Sequence, residues 1–213
     1  MCGITGFIDQ QAATSEQVLT RMNEVLYHRG PDGGKTQLLN FKDIQLGMGH
    51  RRLSIIDLSE NGTQPMNYKD LWITFNGEIY NYQEIKNELA ELGHSFVSGS
   101  DTEMILHAYE AWGEKCLDRF IGMFALVIFD LAKGEFFAAR DRAGVKPLFF
   151  YQKEGLLMYA SELKSFHEHN RFHRKSAGQG GRRNLRFFRW HPSVQRRLDG
   201  FVSARTHRSG RTA

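Results

Sequence analysis

Two pairs of apolar, β-rich runs, each closed by a short turn, constrain the fold of this chain more than any other feature. The first pair flanks residues 131–134 and the second flanks residues 153–155. Helical patterns over 82–93 and 101–120 precede both pairs, and strand-like patterns precede those helices. This order predicts antiparallel sheets with packed helices, an α+β layered domain, rather than a doubly wound parallel sheet.

Three earlier segments complete the expected elements. Residues 15–27 have apolar positions at helical spacing behind Ser15, a residue type that favours helix N-caps. Residues 43–57 have the pattern of a strand, a bend and a second β-rich stretch. Residues 71–81 open as an alternating strand, which we expect to end in a turn at Asn76-Gly77.

Charge is distributed unevenly over the 213 residues. Residues 1–169 contain 16 Lys and Arg against 23 Asp and Glu, whereas residues 170–213 contain 12 basic residues and one acid. The overall charge of +4 therefore describes neither part. The sequence after residue 169 has no sustained period and uses Arg in place of Lys, which predicts a basic tail that is disordered or derived from a frameshift. We expect few contacts between 175–213 and the rest of the chain.

Composition excludes several classes of protein. No run of about 18 apolar residues is present, so no membrane-spanning helix is expected and no membrane partner. No secretory signal pattern is present at the N-terminus. The two cysteines, Cys2 and Cys116, cannot form a disulfide framework, which favours a reducing, cytoplasmic setting. A nucleic-acid-binding tail stays open as an alternative, although a charge run is weak evidence and nucleic acid is not the expected partner.

Cys2 is the first residue that could carry chemistry. If Met1 is removed, the Cys2 thiol lies beside a free α-amine on the same residue. That amine has an ordinary pKa of about 7.7–8.0, close enough to neutrality to act as a general base for the thiol. Considered alone, a cysteine at position 2 is better explained as an incidental small residue.

A series of motifs changes that balance. In chain order they are MCGITGFID (1–9), HRGPDGG (28–34), GHRRLSIIDLS (49–59), QPM (64–66), FNGEIYNY (75–82), SGSDTE (98–103), GMFALVIFD (122–130) and RDRAGVKPLFF (140–150). Together they resemble the glutaminase domain of class II glutamine amidotransferases, which are N-terminal nucleophile hydrolases. The glutamine-hydrolysing asparagine synthetase branch is the most similar, and amidotransferases that form phosphoribosylamine or amino sugars are weaker alternatives. The resemblance covers residues 2–169 and implies a four-layer αββα sandwich of antiparallel sheets.

The resemblance also implies a catalytic group. Cys2 would attack the side-chain amide of L-glutamine, form a thioester and release ammonia. Asn76 and Gly77 would supply the side-chain and backbone N–H donors that stabilise the tetrahedral intermediate. A plain Asn-Gly turn is the alternative for the last two residues.

A second set of residues would bind the substrate. Arg52 matches the arginine that holds the glutamine α-carboxylate, for which a guanidinium fork is suited. Asp101 matches the carboxylate that binds the α-ammonium, with Glu78 as a second contact, although Asp101 also fits the acidic first turn of a helix. Leu53 and Ile55 would form the walls of the same pocket. A hydrogen-bond network around Arg29 or Asp32 is expected to order the loop beside the nucleophile.

The resemblance ends before the ATP-using half of an asparagine synthetase. The SGGxDS phosphate loop of that half does not occur in this sequence. We therefore expect a truncated product whose glutaminase step needs no cofactor, with ATP and Mg confined to a separate synthetase domain or subunit as partner. The histidines show no metal-ligand spacing, so no metal site is expected. A catalytically inactive fragment stays open as an alternative.

Overall fold

The structure, a computed structural model, describes residues 1–53, 62–173, 185–187 and 193–197. Eleven strands lie in this part of the chain: β1 (Gly3–Asp9), β2 (Gly33–Phe41), β3 (Ile44–Arg52), β4 (Met66–Tyr68), β5 (Leu71–Ile79), β6 (Gly122–Asp130), β7 (Glu135–Arg140), β8 (Phe149–Lys153), β9 (Leu156–Ala160), β10 (Leu185–Phe187) and β11 (Ser193–Arg197). Its α-helices are α1 (Glu16–Glu24), α2 (Tyr82–Glu91), α3 (Asp101–Trp112) and α4 (Lys164–His167). Short 3-10 helices follow α1 at Tyr27–Arg29 and α3 at Gly113–Asp118.

The strands form two antiparallel sheets. The six-stranded sheet has the order β10-β8-β9-β1-β3-β2, and the five-stranded sheet has the order β11-β7-β6-β5-β4. Both expected hairpins are present, as β6-β7 and β8-β9. The second hairpin turns at Glu154 and Gly155, whose φ angles of 47° and 74° are those of a tight hairpin turn.

Alternating side chains divide the interior into three apolar layers. In β1, Ile4 and Ile8 pack between the two sheets, whereas Phe7 packs on the outer face against α1 and α4. In β6, Val127 faces the other sheet and Leu126 faces α2 and α3. This period of two places helices on both outer faces and confirms the α+β sandwich.

The predicted turn at Asn76-Gly77 is wrong. Strand β5 continues through both residues to Ile79, and Gly77 lies opposite Phe124 of β6. A Cβ atom at Gly77 would lie 2.3 Å from the Met123 carbonyl oxygen. The glycine therefore permits a close approach of two strands. The sequence does not reveal this role, because the Asn-Gly dipeptide is more often found in turns.

The chain after residue 169 contacts the fold more than the loss of periodicity predicts. Strand β10 pairs with β8 and β11 pairs with β7, so the expectation of few contacts is wrong for these two stretches. Arg171 forms an ion pair with the buried Asp9, and Phe172 packs against the outer apolar layer. The division at residue 169 stays a prediction, and most of the basic tail lies outside the described residues. No helix in the described part of the chain has the length and apolarity needed to cross a bilayer.

Candidate active site

The space between the two sheets changes from apolar to polar at one end of the sandwich. Strand β3 carries Met48 in the apolar layer, then His50 and Arg52 on the same face. A cavity of about 260 Å³ opens there. Seven of the eight expected motifs contribute to its lining, and HRGPDGG (28–34) does not. The lining residues are Met1, Cys2, His50, Arg52, Leu53, Gly62, Gln64, Phe75, Asn76, Gly77, Glu78, Tyr82, Gly99, Ser100, Asp101, Thr102, Met123 and Lys146.

The fold brings together almost every site residue predicted from the sequence. Seven of them line the cavity, namely Cys2, Arg52, Leu53, Asn76, Gly77, Glu78 and Asp101. Ile55 lies outside the described residues. Because these side chains come from distant parts of the chain, their convergence is a property of the fold rather than of any one motif.

Cys2 lies immediately before β1, at the wall of the cavity. Its thiol is free and partly buried. The Leu53 backbone N–H donates to Cys2 Sγ at 3.4 Å, and the thiol lies 3.8 Å from the Leu53 carbonyl oxygen. The Leu53 peptide groups therefore hold the Cys2 sulfur at the cavity wall.

Arg29 fixes the backbone of Cys2. Its Nε donates to the Cys2 carbonyl oxygen at 3.0 Å, and its NH1 donates to Glu162 Oε1 at 3.0 Å. Burial alone would raise the pKa of Glu162, but hydrogen bonds from Arg29, His28 and Lys164 lower it to about 2. The carboxylate therefore stays ionised and holds the guanidinium in place. These hydrogen bonds link residues 28 and 29 to Cys2 and Glu162, as the expected network beside Cys2 requires.

Asn76 presents an unpaired donor. The residue is 1% exposed, and its Nδ2 has no hydrogen-bond partner among the described residues. A buried N–H₂ group without a partner is costly, and at an active site it is explained by a ligand that accepts from it. Its position in the cavity wall fits a donor aimed at a developing oxyanion.

Asp101 provides a buried carboxylate at the start of α3. Burial raises the pKa of this carboxyl to about 6, the neighbouring Glu78 charge adds to that effect, and the Ile79 N–H, which donates to Asp101 Oδ2 at 3.1 Å, opposes it. Ser100 caps the helix by accepting from the Thr102 N–H. A buried carboxyl with a raised pKa, beside a second acidic side chain in the same cavity, is suited to a cationic ligand group, which would favour its ionised state.

Eleven of the eighteen lining residues were not predicted as site residues, and His50, Gln64 and Lys146 are buried polar residues among them. Burial and the Arg52 charge lower the pKa of His50 to about 3, so the ring is neutral. Gln64 accepts from the Phe75 N–H at 2.6 Å and donates to Thr102 Oγ1 at 3.1 Å, which ties β5 to the start of α3. Lys146 is buried, and its Nζ donates to Met1 Sδ at 3.4 Å. The motifs GHRR, QPM and GVKP contain these residues, but only their burial beside Cys2 reveals the connection.

Comparison with known proteins agrees with this geometry. The family described as glutamine amidotransferase domain matches residues 1–200. The chain belongs to that family. The amidotransferase domain is 43% identical over 176 residues to asparagine synthetase [glutamine-hydrolyzing] 3 of Bacillus subtilis, covering 79% of this chain and 28% of the relative. It is 42% identical over 171 residues to asparagine synthetase [glutamine-hydrolyzing] 1 of the same organism, covering 78% and 26%.

A solved structure supports the fold of the amidotransferase domain. The structure described as the allosteric regulatory enzyme of purine biosynthesis superimposes with a TM-score of 0.69 at 21% identity, over 78% of this chain and 43% of that one. An identity this low supports the fold alone. The chain thus spans about a quarter of the two Bacillus relatives and less than half of the structural neighbour.

Proposed function

We propose that this amidotransferase domain hydrolyses the side-chain amide of L-glutamine to glutamate and ammonia through a thioester on Cys2. The observation that carries the proposal is the cavity that combines the Cys2 thiol, the unpaired Asn76 Nδ2 and the Asp101 carboxylate. These groups are a nucleophile, an oxyanion donor and an ammonium acceptor, the set that amide transfer from an amino acid needs.

Substrate binding uses charge at one end of glutamine and shape at the other. Arg52 holds the α-carboxylate, and Asp101 with Glu78 holds the α-ammonium. Leu53 lines the cavity and would form part of the pocket wall. The side-chain amide then extends toward Cys2, because both charged groups of the amino acid are held away from it.

The first chemical step transfers the acyl group to sulfur. Removal of Met1 frees the Cys2 α-amine, which accepts the thiol proton. Sγ bonds to the amide carbon, and the carbonyl oxygen gains charge that the Asn76 Nδ2–H and the Gly77 N–H stabilise. Collapse of this intermediate breaks the C–N bond, and the α-ammonium returns its proton so that ammonia leaves.

The second step releases glutamate. Water attacks the thioester carbon while the α-amine accepts its proton, and the same two donors stabilise the second oxyanion. Breaking of the C–S bond returns the proton to sulfur and restores the thiol. The proposed cycle uses no cofactor and requires a reduced Cys2, which is consistent with a cytoplasmic setting.

The ammonia would serve a second reaction. We propose that this domain is the ammonia-supplying half of an asparagine synthetase, in which aspartate, glutamine and ATP yield asparagine. A synthetase domain or subunit would then be the partner and would contain the ATP and Mg sites. The similarity to two glutamine-hydrolysing asparagine synthetases supports this assignment.

Glutamate release from glutamine by the purified chain tests the proposal. We expect turnover in the parent protein and none in Cys2→Ser, with a mass that shows Met1 removed. Cys116→Ala is the matched control, because the Cys116 thiol is buried and its burial raises the pKa to about 12. Turnover retained by Cys2→Ser contradicts the mechanism. Stabilisation of the parent by glutamine without turnover supports the inactive-fragment alternative.

A further inference from the structure

Three potential metal ligands converge where α2 leads into α3. His94 lies just after α2, and His107 and Glu110 lie one turn apart on α3. Their ligand atoms all lie within 4.8 Å of one another. His94 Nδ1 is 2.9 Å from His107 Nδ1 and 3.7 Å from Glu110 Oε2. The cluster is outside the cavity that contains Cys2.

The two imidazoles have an unusual arrangement. Their Nδ1 atoms face each other at hydrogen-bond distance, so one must donate a proton to the other, or both must direct lone pairs at a shared cation. An imidazole nitrogen is a common zinc ligand, so two that face each other at this distance can bind one ion between them.

A carboxylate lies behind the buried ligand. His107 is 1% exposed, and its Nε2 has no hydrogen-bond partner among the described residues. Glu103 Oε1 lies 3.9 Å from that nitrogen, and the N–H groups of Val97 and Ser98 hold the Glu103 carboxylate. In metal sites, a carboxylate at this position accepts from the histidine nitrogen that does not bind the metal. The 3.9 Å separation is an ion-pair distance rather than a hydrogen bond, so Glu103 would take that role after a small approach to Nε2.

We propose that His94 Nδ1, His107 Nδ1 and Glu110 Oε2 form a binding site for Zn²⁺. Two imidazoles and one carboxylate are a recognised zinc donor set. Tetrahedral bonds of about 2.0–2.1 Å place ligand atoms about 3.3 Å apart, between the two separations observed here. His94 is 14% exposed and Glu110 30%, so an ion can enter from solvent and keep a water as its fourth ligand.

Lys69 would compete with the ion. Its ammonium forms an ion pair with Glu110 Oε1, the second oxygen of the ligand carboxylate, and the Lys69 side chain is 60% exposed. A divalent cation at Oε2 would repel this ammonium, and the exposed side chain can move into solvent. Loss of the Lys69 charge should therefore strengthen zinc binding, a result that a purely structural hydrogen-bond network does not predict.

Zinc titration of the full-length chain tests the site. The Cys2→Ser background is needed because the Cys2 thiol is itself a metal ligand. We expect His94→Ala and Glu110→Gln each to weaken Zn²⁺ binding measured by calorimetry more than about tenfold, the lower end of what even outer-shell substitutions cost. Glu114→Gln is the matched control, because Glu114 is exposed one turn beyond Glu110.

Cobalt absorption and the Lys69 variant give separate results. Co²⁺ should produce the visible bands of a nitrogen- and oxygen-ligated site in the Cys2→Ser protein and lose them in Glu110→Gln. Lys69→Gln should bind Zn²⁺ more tightly than its background. Equal zinc affinity in His94→Ala, Glu110→Gln and Glu114→Gln overturns the proposal, provided that circular dichroism in EDTA shows the variants to be folded. Weaker Zn²⁺ binding by Lys69→Gln than by its background contradicts the proposed competition between Lys69 and the ion for Glu110.

Discussion

Arg29 holds the carbonyl oxygen of Cys2 with its Nε at 3.0 Å. The same guanidinium reaches Glu162, which follows β9, so two distant chain segments fix the peptide bond between the nucleophile and β1. Glu162 in turn is ionised well below neutral pH because hydrogen bonds outweigh the effect of its burial. The position of the thiol therefore depends on an ion pair that does not itself face the cavity.

Arg29→Lys should slow the reaction more than it weakens substrate binding. Lysine keeps the charge but cannot donate to Cys2 and Glu162 with a fixed fork. A displacement of about 1 Å at a nucleophile can cost about 10²-fold, so we expect kcat to fall by that order while KM changes little. Steady-state glutamate release measures both constants.

The control for Arg29 is Arg21→Lys, which alters an exposed arginine paired with Glu168 at 3.9 Å. That variant should keep the parent kcat. If Arg29→Lys raises KM and leaves kcat unchanged, the arginine does not position Cys2.

Asn76→Ala should remove activity at little cost in stability. The substitution deletes a buried Nδ2 donor that has no hydrogen-bond partner within the described residues, so the folded state loses no hydrogen bond from that atom. Loss of an oxyanion donor typically lowers kcat about 10²–10³-fold. Kinetics and thermal unfolding of the same preparation test both statements. The exposed Asn67→Ala is the control, and an Asn76→Ala variant with parent kcat contradicts the oxyanion role.

The sequence predicted which residues converge on one cavity better than it predicted the local backbone. Motif resemblance selected Cys2, Asn76 and Asp101, and the fold places all three on one cavity. The predicted turn at Asn76-Gly77 was wrong because glycine is used both in turns and where two strands approach closely. Gly77 has the second role, which depends on the neighbouring strand β6. No local pattern could reveal that partner.

Buried polar groups were the other omission. His50, Gln64 and Lys146 belong to quoted motifs, but an isolated polar residue gives no sign of its depth in the fold. The approach of His94 to His107 likewise depends on how α2 leads into α3. Such contacts arise from tertiary packing, which periodicity and residue spacing in the sequence do not predict.

Glutamine binding should depend on pH through Asp101. Its pKa is raised to about 6, so the carboxylate is protonated below that pH and ionised above it. Because only the carboxylate attracts the substrate α-ammonium, kcat/KM should rise with pH through about 6, in addition to any change caused by the Cys2 α-amine near its ordinary pKa of about 7.7–8.0. A pH series of kcat/KM separates the two transitions.

Asp101→Asn isolates the lower transition. Asparagine retains an oxygen that can accept from the Ile79 N–H, so the start of α3 should stay intact. We expect the variant to lose the pH dependence near 6 and to have a higher KM than the parent above that pH. A lower transition that persists in Asp101→Asn must come from another group and contradicts this assignment.

Arg171→Ala tests whether the folded unit continues beyond residue 169. Asp9 is fully buried and accepts from Arg171 NH1 at 2.7 Å and from Thr14 Oγ1 at 2.7 Å. Burial raises the pKa of Asp9, but hydrogen bonds from Thr14, Arg171 and Gln11 outweigh it and leave the pKa below its ordinary value. Such a group stabilises the fold above the unfolded-state pKa, and the stabilisation is lost as the pH falls through the folded-state value.

Because Asp9 keeps other donors and Arg171 is partly solvent-exposed, we expect the substitution to cost about 1–2 kcal/mol at neutral pH. The cost should shrink in acid as Asp9 is protonated. Urea unfolding of the full chain at neutral and acidic pH measures this difference, with the exposed Arg142→Ala as control. If Arg171→Ala is as stable as Arg142→Ala at neutral pH, the arginine contributes nothing to the fold, and the boundary predicted at residue 169 is supported.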